Sequence, residues 1–273
     1  MPLTPYMCAN CGSWQKYFAT PPDCPVCSDV RNALPEDGWE FKTSAEVDSL
    51  VATTWHEPTP SIVMFQNRPT VGIGPCGYLI LHPEGNIAFE AAGWYSPGAL
   101  AHIESLGGIR FLSASHPHGF GALWQLQDHF HPPHMVMQRE AVRFTKAFRV
   151  NYPFDDECEL MPGATLHYVG GHYEGQSVLY HEPTGSLFAG DSLKFELDAQ
   201  GHATGVSCHK AFHNQIPLSH AEVRKYREVL GRLPFRQVFT PFEHVPHATR
   251  EDALRLFDAH LAGIPFVTPM ALA

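Results

Sequence analysis

The sequence predicts an α/β chain: two β-sheets packed face to face and flanked by helices, behind a small amino-terminal four-cysteine knuckle. Three observations carry this reading. From about residue 61 onward short β-rich runs alternate with helical patterns. The strands come in blocks with the helices outside them, which is how two sheets pack face to face under a helical cover. Four of the seven cysteines fall within the first 27 residues.

At 273 residues the chain is long enough for one large domain or two small ones. Hydrophobic residues are 44% and charged residues 17%, which excludes charge-driven disorder. Eighteen Lys and Arg against 28 Asp and Glu leave a net charge of −10, which repels a phosphate backbone, so nucleic acid is not expected as a partner. The opening run MPLTPYMCANCG has neither a basic segment nor a long apolar one. No apolar run approaches the roughly 18 residues that span a bilayer. Neither export nor membrane insertion is expected, and the clustered cysteines fit a reducing, cytoplasmic setting. Histidine occurs 18 times, as often as Lys and Arg together, and imidazole is the commonest metal-binding side chain.

Residues 1–35 form the knuckle, 36–60 are expected as a linker, and 61–273 form the main domain. Ser61–Phe65, Tyr78–Leu81 and Asn86–Phe89 read as strands between Gly, Pro and Asn turns. Pro97–Leu106 reads as a helix, Ile109–Ser113 as a strand, and Ala122–Phe130 as a helix with Leu123 and Leu126 on one face. In the second half Thr165–Val169, Ser177–His181 and Ser186–Ala189 are strand-like, while Ala221–Leu230 and Arg250–Ala259 are helical.

In the knuckle, Cys8-Ala9-Asn10-Cys11 and Cys24-Pro25-Val26-Cys27 are two C-x-x-C pairs separated by twelve residues. Each pair makes a tight turn, and four sulfurs can close a tetrahedron around one ion. Tyr6, Gly12 and the Cys-Pro-x-Cys pair resemble a rubredoxin-type ribbon, over about the first 35 residues. Such modules hold zinc for structure or iron for electron transfer, and the same thiolate geometry serves both. Zinc is expected, because no flavin or haem motif supplies an electron partner.

Four further features lie at strand ends: Ser115-His116-Pro117-His118-Gly119, Gly171-His172-Tyr173-Glu174-Gly175, Leu187-Phe188-Ala189-Gly190-Asp191 and Phe242-Glu243-His244. Loops at strand ends are where a rigid scaffold holds functional groups. Three histidines that leave a fourth position open make zinc a Lewis acid and bring the pKa of a water near neutrality.

These pieces, in order with Gly77–Ile80, Ile87–Gly93, Pro162-Gly163 and Ser177, resemble the metallo-β-lactamase superfamily over about 200 residues. The resemblance implies an αββα sandwich of two mixed β-sheets with a metal cleft along one edge of its sheets. It assigns His116, His118 and His172 to the first metal, Asp191 to the bridging carboxylate and His244 to the last histidine of the second site. It places Glu90 beneath the histidine loop as a supporting acid. The family's H-x-H-x-D-H loop here carries Phe120 and Gly121 where its aspartate and third histidine stand, so both second-metal ligands of that loop are gone.

The leading expectation is a metal-dependent hydrolase in which a zinc-activated water attacks an ester-, thioester- or amide-like carbonyl, with Asp191 or His244 as general base. The alternatives are a non-hydrolytic metal- or ligand-binding protein and an iron redox protein that uses the knuckle, with iron at either site. The expected partner is a small-molecule substrate; dimerisation is frequent in the resembled family, and no residue pattern here fixes it. The run Asp128–His134 is expected to be a helix end and a proline turn rather than a substitute metal site. Cys208, His209, Lys210 and His213 are candidates for the mouth of the cleft. Cys76 and Cys158 are expected to be small buried residues, and Trp94, Tyr95 and Trp124 to be core.

Overall fold

A computed structural model of the chain describes residues 3–32, 34–211 and 216–263. The described chain divides into two compact units, 1–154 and 155–273.

The first unit opens with a three-stranded sheet. β1 (Thr4–Cys8) pairs with β2 (Trp14–Tyr17) on one side and β3 (Phe41–Thr43) on the other, both antiparallel. α1 (Ser44–Leu50) follows directly. Thr43 caps it, its hydroxyl accepting from Glu46 N–H while the Glu46 carboxylate returns to Thr43 N–H. β4 (Ala52–Thr59), β5 (Ile62–Arg68), β6 (Gly77–Ile80) and β7 (Ile87–Phe89) form an antiparallel meander. α2 (Pro97–Ser105) then leads to β8 (Phe111–Ser113), and α3 (Leu123–Phe130) to β9 (His134–Gln138). With β10 (Tyr152–Phe154) these complete a mixed seven-stranded sheet in the order β10-β9-β8-β7-β6-β5-β4. Val47, Ala99, Ile103, Leu123 and Leu126 bring the three helices onto one face of that sheet, against Val63, Phe65, Leu79, Leu112 and Met135.

The second unit holds β11 (Glu157–Met161), β12 (Ala164–Tyr168), β13 (Ser177–His181) and β14 (Ser186–Phe188). After them come two small hairpins, β15 (Lys194–Leu197) with β16 (Ala203–Ser207), and β17 (His209–Ala211) with β18 (Ile216–Pro217). α4 (His220–Gly231), β19 (Gln237–Phe239), β20 (His244–Val245) and α5 (Arg250–Leu261) close it. The six-stranded sheet runs β11-β12-β13-β14-β19-β20, with one parallel pair at β14 and β19. Val223, Tyr226, Val229 and Phe257 seat α4 and α5 on its Val178, Leu187 and Val238 face. No helix of the described residues is long and apolar enough to cross a membrane.

The expected strands and helices are present, most within two residues of their expected ends. Residues 36–60, expected as a linker, are instead folded: they supply β3, α1 and the edge strand β4. Their exposure misled the pattern, because an edge strand whose side chains are mostly solvated shows no clean alternation. Pro58 sits within the register shift between His56 and Thr59, the place an edge strand tolerates proline. The expected boundary at residue 35 is also blurred. Trp14 is 4% exposed, packs on the Trp94 and Trp124 rings at 5.7 and 5.2 Å, and donates its indole N–H to Gly93 O at 3.0 Å. Trp14 thereby ties the knuckle to the first unit's core, while the four cysteines and Val26 form a buried cluster of their own.

Candidate metal centre

The four knuckle sulfurs lie within 4.8 Å of one another, with Cys8 to Cys27 at 3.9 Å and Cys11 to Cys24 at 3.6 Å. A disulfide needs about 2.0 Å, so these are free thiols. A tetrahedron built on zinc–sulfur bonds of about 2.3 Å has edges of about 3.8 Å, which is the spacing found. Asn10 Nδ2 donates to Cys27 Sγ at 3.3 Å and Cys27 N–H to Cys24 Sγ at 3.5 Å, contacts that favour thiolates. Bonds with the neighbouring thiols, Cys11 first, hold Cys8 well below its usual range, whereas the same neighbours, Cys24 first, push Cys11 well above it. Only a cation lets all four ionise together. The donor set fits one tetrahedral ion.

The loop after β8 carries the first histidine pair. His116 is fully buried, and its ring lies 5.3 Å from that of His118, edge to face. Ser115 Oγ sits 2.7 Å from His116 Nδ1, which turns Nε2 to the opposite side of the ring. Pro117 starts a short 3-10 turn, Pro117–Gly119, that brings the second imidazole back beside the first. Glu90 supports this loop as the resemblance implied. It is 1% exposed, holds a left-handed φ of 59°, and accepts Ser115 N–H at 3.3 Å on Oε1. Its carboxylate fills the place where a side chain on Gly119 would lie, so residue 119 must be glycine.

Phe120 faces the core, 3% exposed, with its ring edge-on to Phe148 at 5.2 Å. Gly121 has φ 37°, and a Cβ there would overlap the Ala91 carbonyl. The two positions where the resembled family carries an aspartate and a histidine are thus a core position and a position without room for any side chain.

The second unit carries the other pair. His172, 4% exposed, follows two left-handed glycines after β12, Gly170 at φ 66° and Gly171 at φ 78°. Its Nδ1 lies 2.6 Å from His209 O; a carbonyl only accepts, so Nδ1 carries the proton and Nε2 the lone pair. Asp191 stands in the 3-10 turn Gly190–Ser192 beyond β14, with its Oδ2 3.6 Å from His172 Nε2. Two ligands on one tetrahedral ion at about 2.05 Å stand about 3.3 Å apart, close to this separation. Asp191 caps no helix, since the chain continues into β15.

His244, expected in the second site, has other engagements. Its Nε2 lies 2.8 Å from Gln237 Oε1 and its ring stacks on Phe239 at 4.2 Å. The metal-capable groups of the described residues are the four cysteines and a set of His116, His118, His172 and Asp191, without His244. Cys208, expected at a cleft mouth, is instead fully buried in the second unit's core, where burial pushes its thiol well above the usual range. Lys210 pairs with Glu222 at 2.8 Å. His209 contributes its carbonyl, and His213 lies outside the described residues. Cys76 is buried, which pushes its thiol up to about 11; Cys158 is half-buried. Trp94, Tyr95 and Trp124 are core as expected. In the run from Asp128, His131 ends α3 in a left-handed conformation and His134 stacks on Phe111 at 4.7 Å, so this segment is a helix end and a strand start.

No family model matches the chain. A curated relative, the uncharacterized protein YmaE of Bacillus subtilis (strain 168), is 22% identical over 258 residues, 92% of this chain and 93% of that one. Among solved structures, the DIM-1 metallo-β-lactamase is 13% identical with a TM-score of 0.55, over 76% of this chain and 97% of its own. A metallo-β-lactamase from Pontibacter korlensis is 16% identical with a TM-score of 0.55, over 78% and 99%. The metallo-β-lactamase FIM-1 from Pseudomonas aeruginosa, in a mono-zinc form, is 15% identical with a TM-score of 0.52, over 78% and 97%. The chain has the metallo-β-lactamase fold, with a four-cysteine cluster at its amino terminus.

Proposed function

We propose that this protein is a metal-dependent hydrolase with one ion held by His116, His118 and His172, Asp191 standing beside the open fourth position as base, while the knuckle holds a structural zinc. The observation that carries the reading is that each unit presents a preformed pair: two imidazoles on one buried loop, and an imidazole and a carboxylate 3.6 Å apart. Coverage supports joining them. The metallo-β-lactamase matches span 76–78% of the chain, whereas residues 1–154 are 154 of 273, about 56%. The fold therefore draws on both units.

The donor set, three imidazoles with a carboxylate beside them, suits zinc, and FIM-1 is described with a single zinc. Zinc in that position supplies Lewis acidity toward a carbonyl and a water ionised near neutral pH. The chain's own residues do the rest. Ser115 and the His209 carbonyl fix the rings of His116 and His172. Asp191, with 11% of its side chain exposed, can accept a proton from the attacking water and return it to the leaving group. Phe120 and Gly121 leave the loop no second set of ligands, so the reading is of one ion and Asp191 as base. The same loss is what favours the alternative, a protein that binds a ligand at the ion and does not hydrolyse it.

The test is metal content and turnover together. Purified protein should carry about two zinc ions per chain and hydrolyse one class in a panel of model esters, thioesters, amides and phosphodiesters. His116→Ala should carry one ion and no activity. Two ions with no turnover on any class would favour the binding reading, and an unchanged metal content in His116→Ala would refute the site.

A further inference from the structure

One side chain spans the turn that presents His172. Tyr226, on α4, is fully buried, and its hydroxyl donates to Gly170 O at 2.8 Å. The same oxygen accepts His172 N–H at 3.3 Å. Between those two groups, Gly171 holds φ 78°, and a Cβ there would press on the Tyr226 ring and hydroxyl at 3.0 Å. The turn is therefore moulded around the phenol: its first carbonyl, its central glycine and its final N–H all meet Tyr226. From the far side, His209 O holds Nδ1 at 2.6 Å, which leaves the main chain as the remaining freedom of the ring. A ligand nitrogen must lie within about 0.2 Å of its bonding distance, so where the main chain sits decides whether Nε2 reaches an ion.

We propose that the Tyr226 hydroxyl is a positioning group for His172, fixing the main chain from which the imidazole reaches its metal. The inference rests on the reading of His172 as a ligand. Phenylalanine at position 226 keeps the ring and its packing and removes both hydrogen bonds. Partners that orient metal ligands typically change affinity about 10–100-fold when removed, and a loss in that range is expected for the histidine site alone.

The experiment is a chelator-competition titration with zinc on the full chain, for wild type, Tyr226→Phe, His172→Ala and Val229→Ala, with the cobalt(II) d–d spectrum of the non-thiolate site recorded for each. Val229 lies in the same core as Tyr226 and is a partner in neither of the turn's two hydrogen bonds. The proposal expects His172→Ala to lose one ion, Tyr226→Phe to bind that ion 10–100-fold more weakly with altered cobalt bands, and Val229→Ala to melt earlier with affinity and bands unchanged. Wild type and His172→Ala carrying equal metal would overturn the ligand reading and the proposal with it. A Tyr226→Phe titration that overlays wild type, while His172→Ala loses its ion, would overturn the proposal alone. So would an equal loss of affinity in Val229→Ala, because general stability would then account for the effect.

Discussion

Replacing Phe120 with Asp and Gly121 with His would write H-x-H-x-D-H back into the first loop, and the structure says this restoration fails. Phe120 is 3% exposed and packed edge-on to Phe148. Removing a buried phenylalanine costs about 3–5 kcal/mol, and the aspartate adds a carboxylate to an apolar site. At residue 121, φ is 37°, and leaving glycine there costs about 1–2 kcal/mol for the left-handed backbone alone. The new Cβ must also displace the Ala91 carbonyl, whose chain neighbour Ala92 accepts Ala122 N–H at 2.9 Å. Together the pair of changes costs about 5 kcal/mol or more, a large share of the roughly 5–15 kcal/mol that holds a domain folded. Urea unfolding and zinc stoichiometry on the double variant read both consequences. A strongly lowered midpoint and no additional ion are expected. A double variant as stable as wild type that carries one ion more would refute the reasoning, because the loop would then have room for the ligands the geometry excludes.

Three further outcomes follow from named contacts. Cys24→Ser should release the knuckle ion and lower the melting temperature, since Trp14 ties the knuckle into the first unit's core, while the histidine site keeps its metal; metal analysis beside calorimetry reads both. Ser115→Ala should weaken metal binding at the histidine site by about 10–100-fold, read by chelator competition, because the hydroxyl 2.7 Å from His116 Nδ1 holds that ring. His167 is buried, and desolvation lowers its pKa below the ordinary 6.5 despite Glu157 Oε2 at 3.2 Å. The native state thus binds that proton more weakly than the unfolded chain, so stability is full above about pH 6.5 and is lost as the pH falls through it. His167→Gln should flatten this acid limb in denaturation curves recorded from pH 7.5 to about 5.

Much of the site is legible in the sequence because its signals are short-range. His116 and His118 are two residues apart on one loop, Gly170 and Gly171 announce a left-handed turn before His172, and the C-x-x-C spacing fixes the knuckle. What the sequence hides is set by contacts between distant positions. Tyr226 lies 54 residues from His172 and reads as an ordinary apolar position of an amphipathic helix. His209 acts through its carbonyl, which no side-chain pattern records. β9 carries no legible strand signal, because His134-Met135-Val136-Met137-Gln138 follows a Pro-Pro turn and is buried along nearly its whole length, so it shows no period of two. Phe120 reads as a substitution in a motif; that its ring turns into the core beside Phe148 is visible only in three dimensions.

Under the proposed function one ion is held at His116, His118 and His172 beside Asp191, and another in the knuckle. Anomalous diffraction at the zinc edge from crystals grown with zinc measures this most directly. Two peaks per chain are expected, one among Cys8, Cys11, Cys24 and Cys27 and one bounded by His116, His118, His172 and Asp191. A lone peak at the cysteines, or a pair of ions at the histidines, would contradict it.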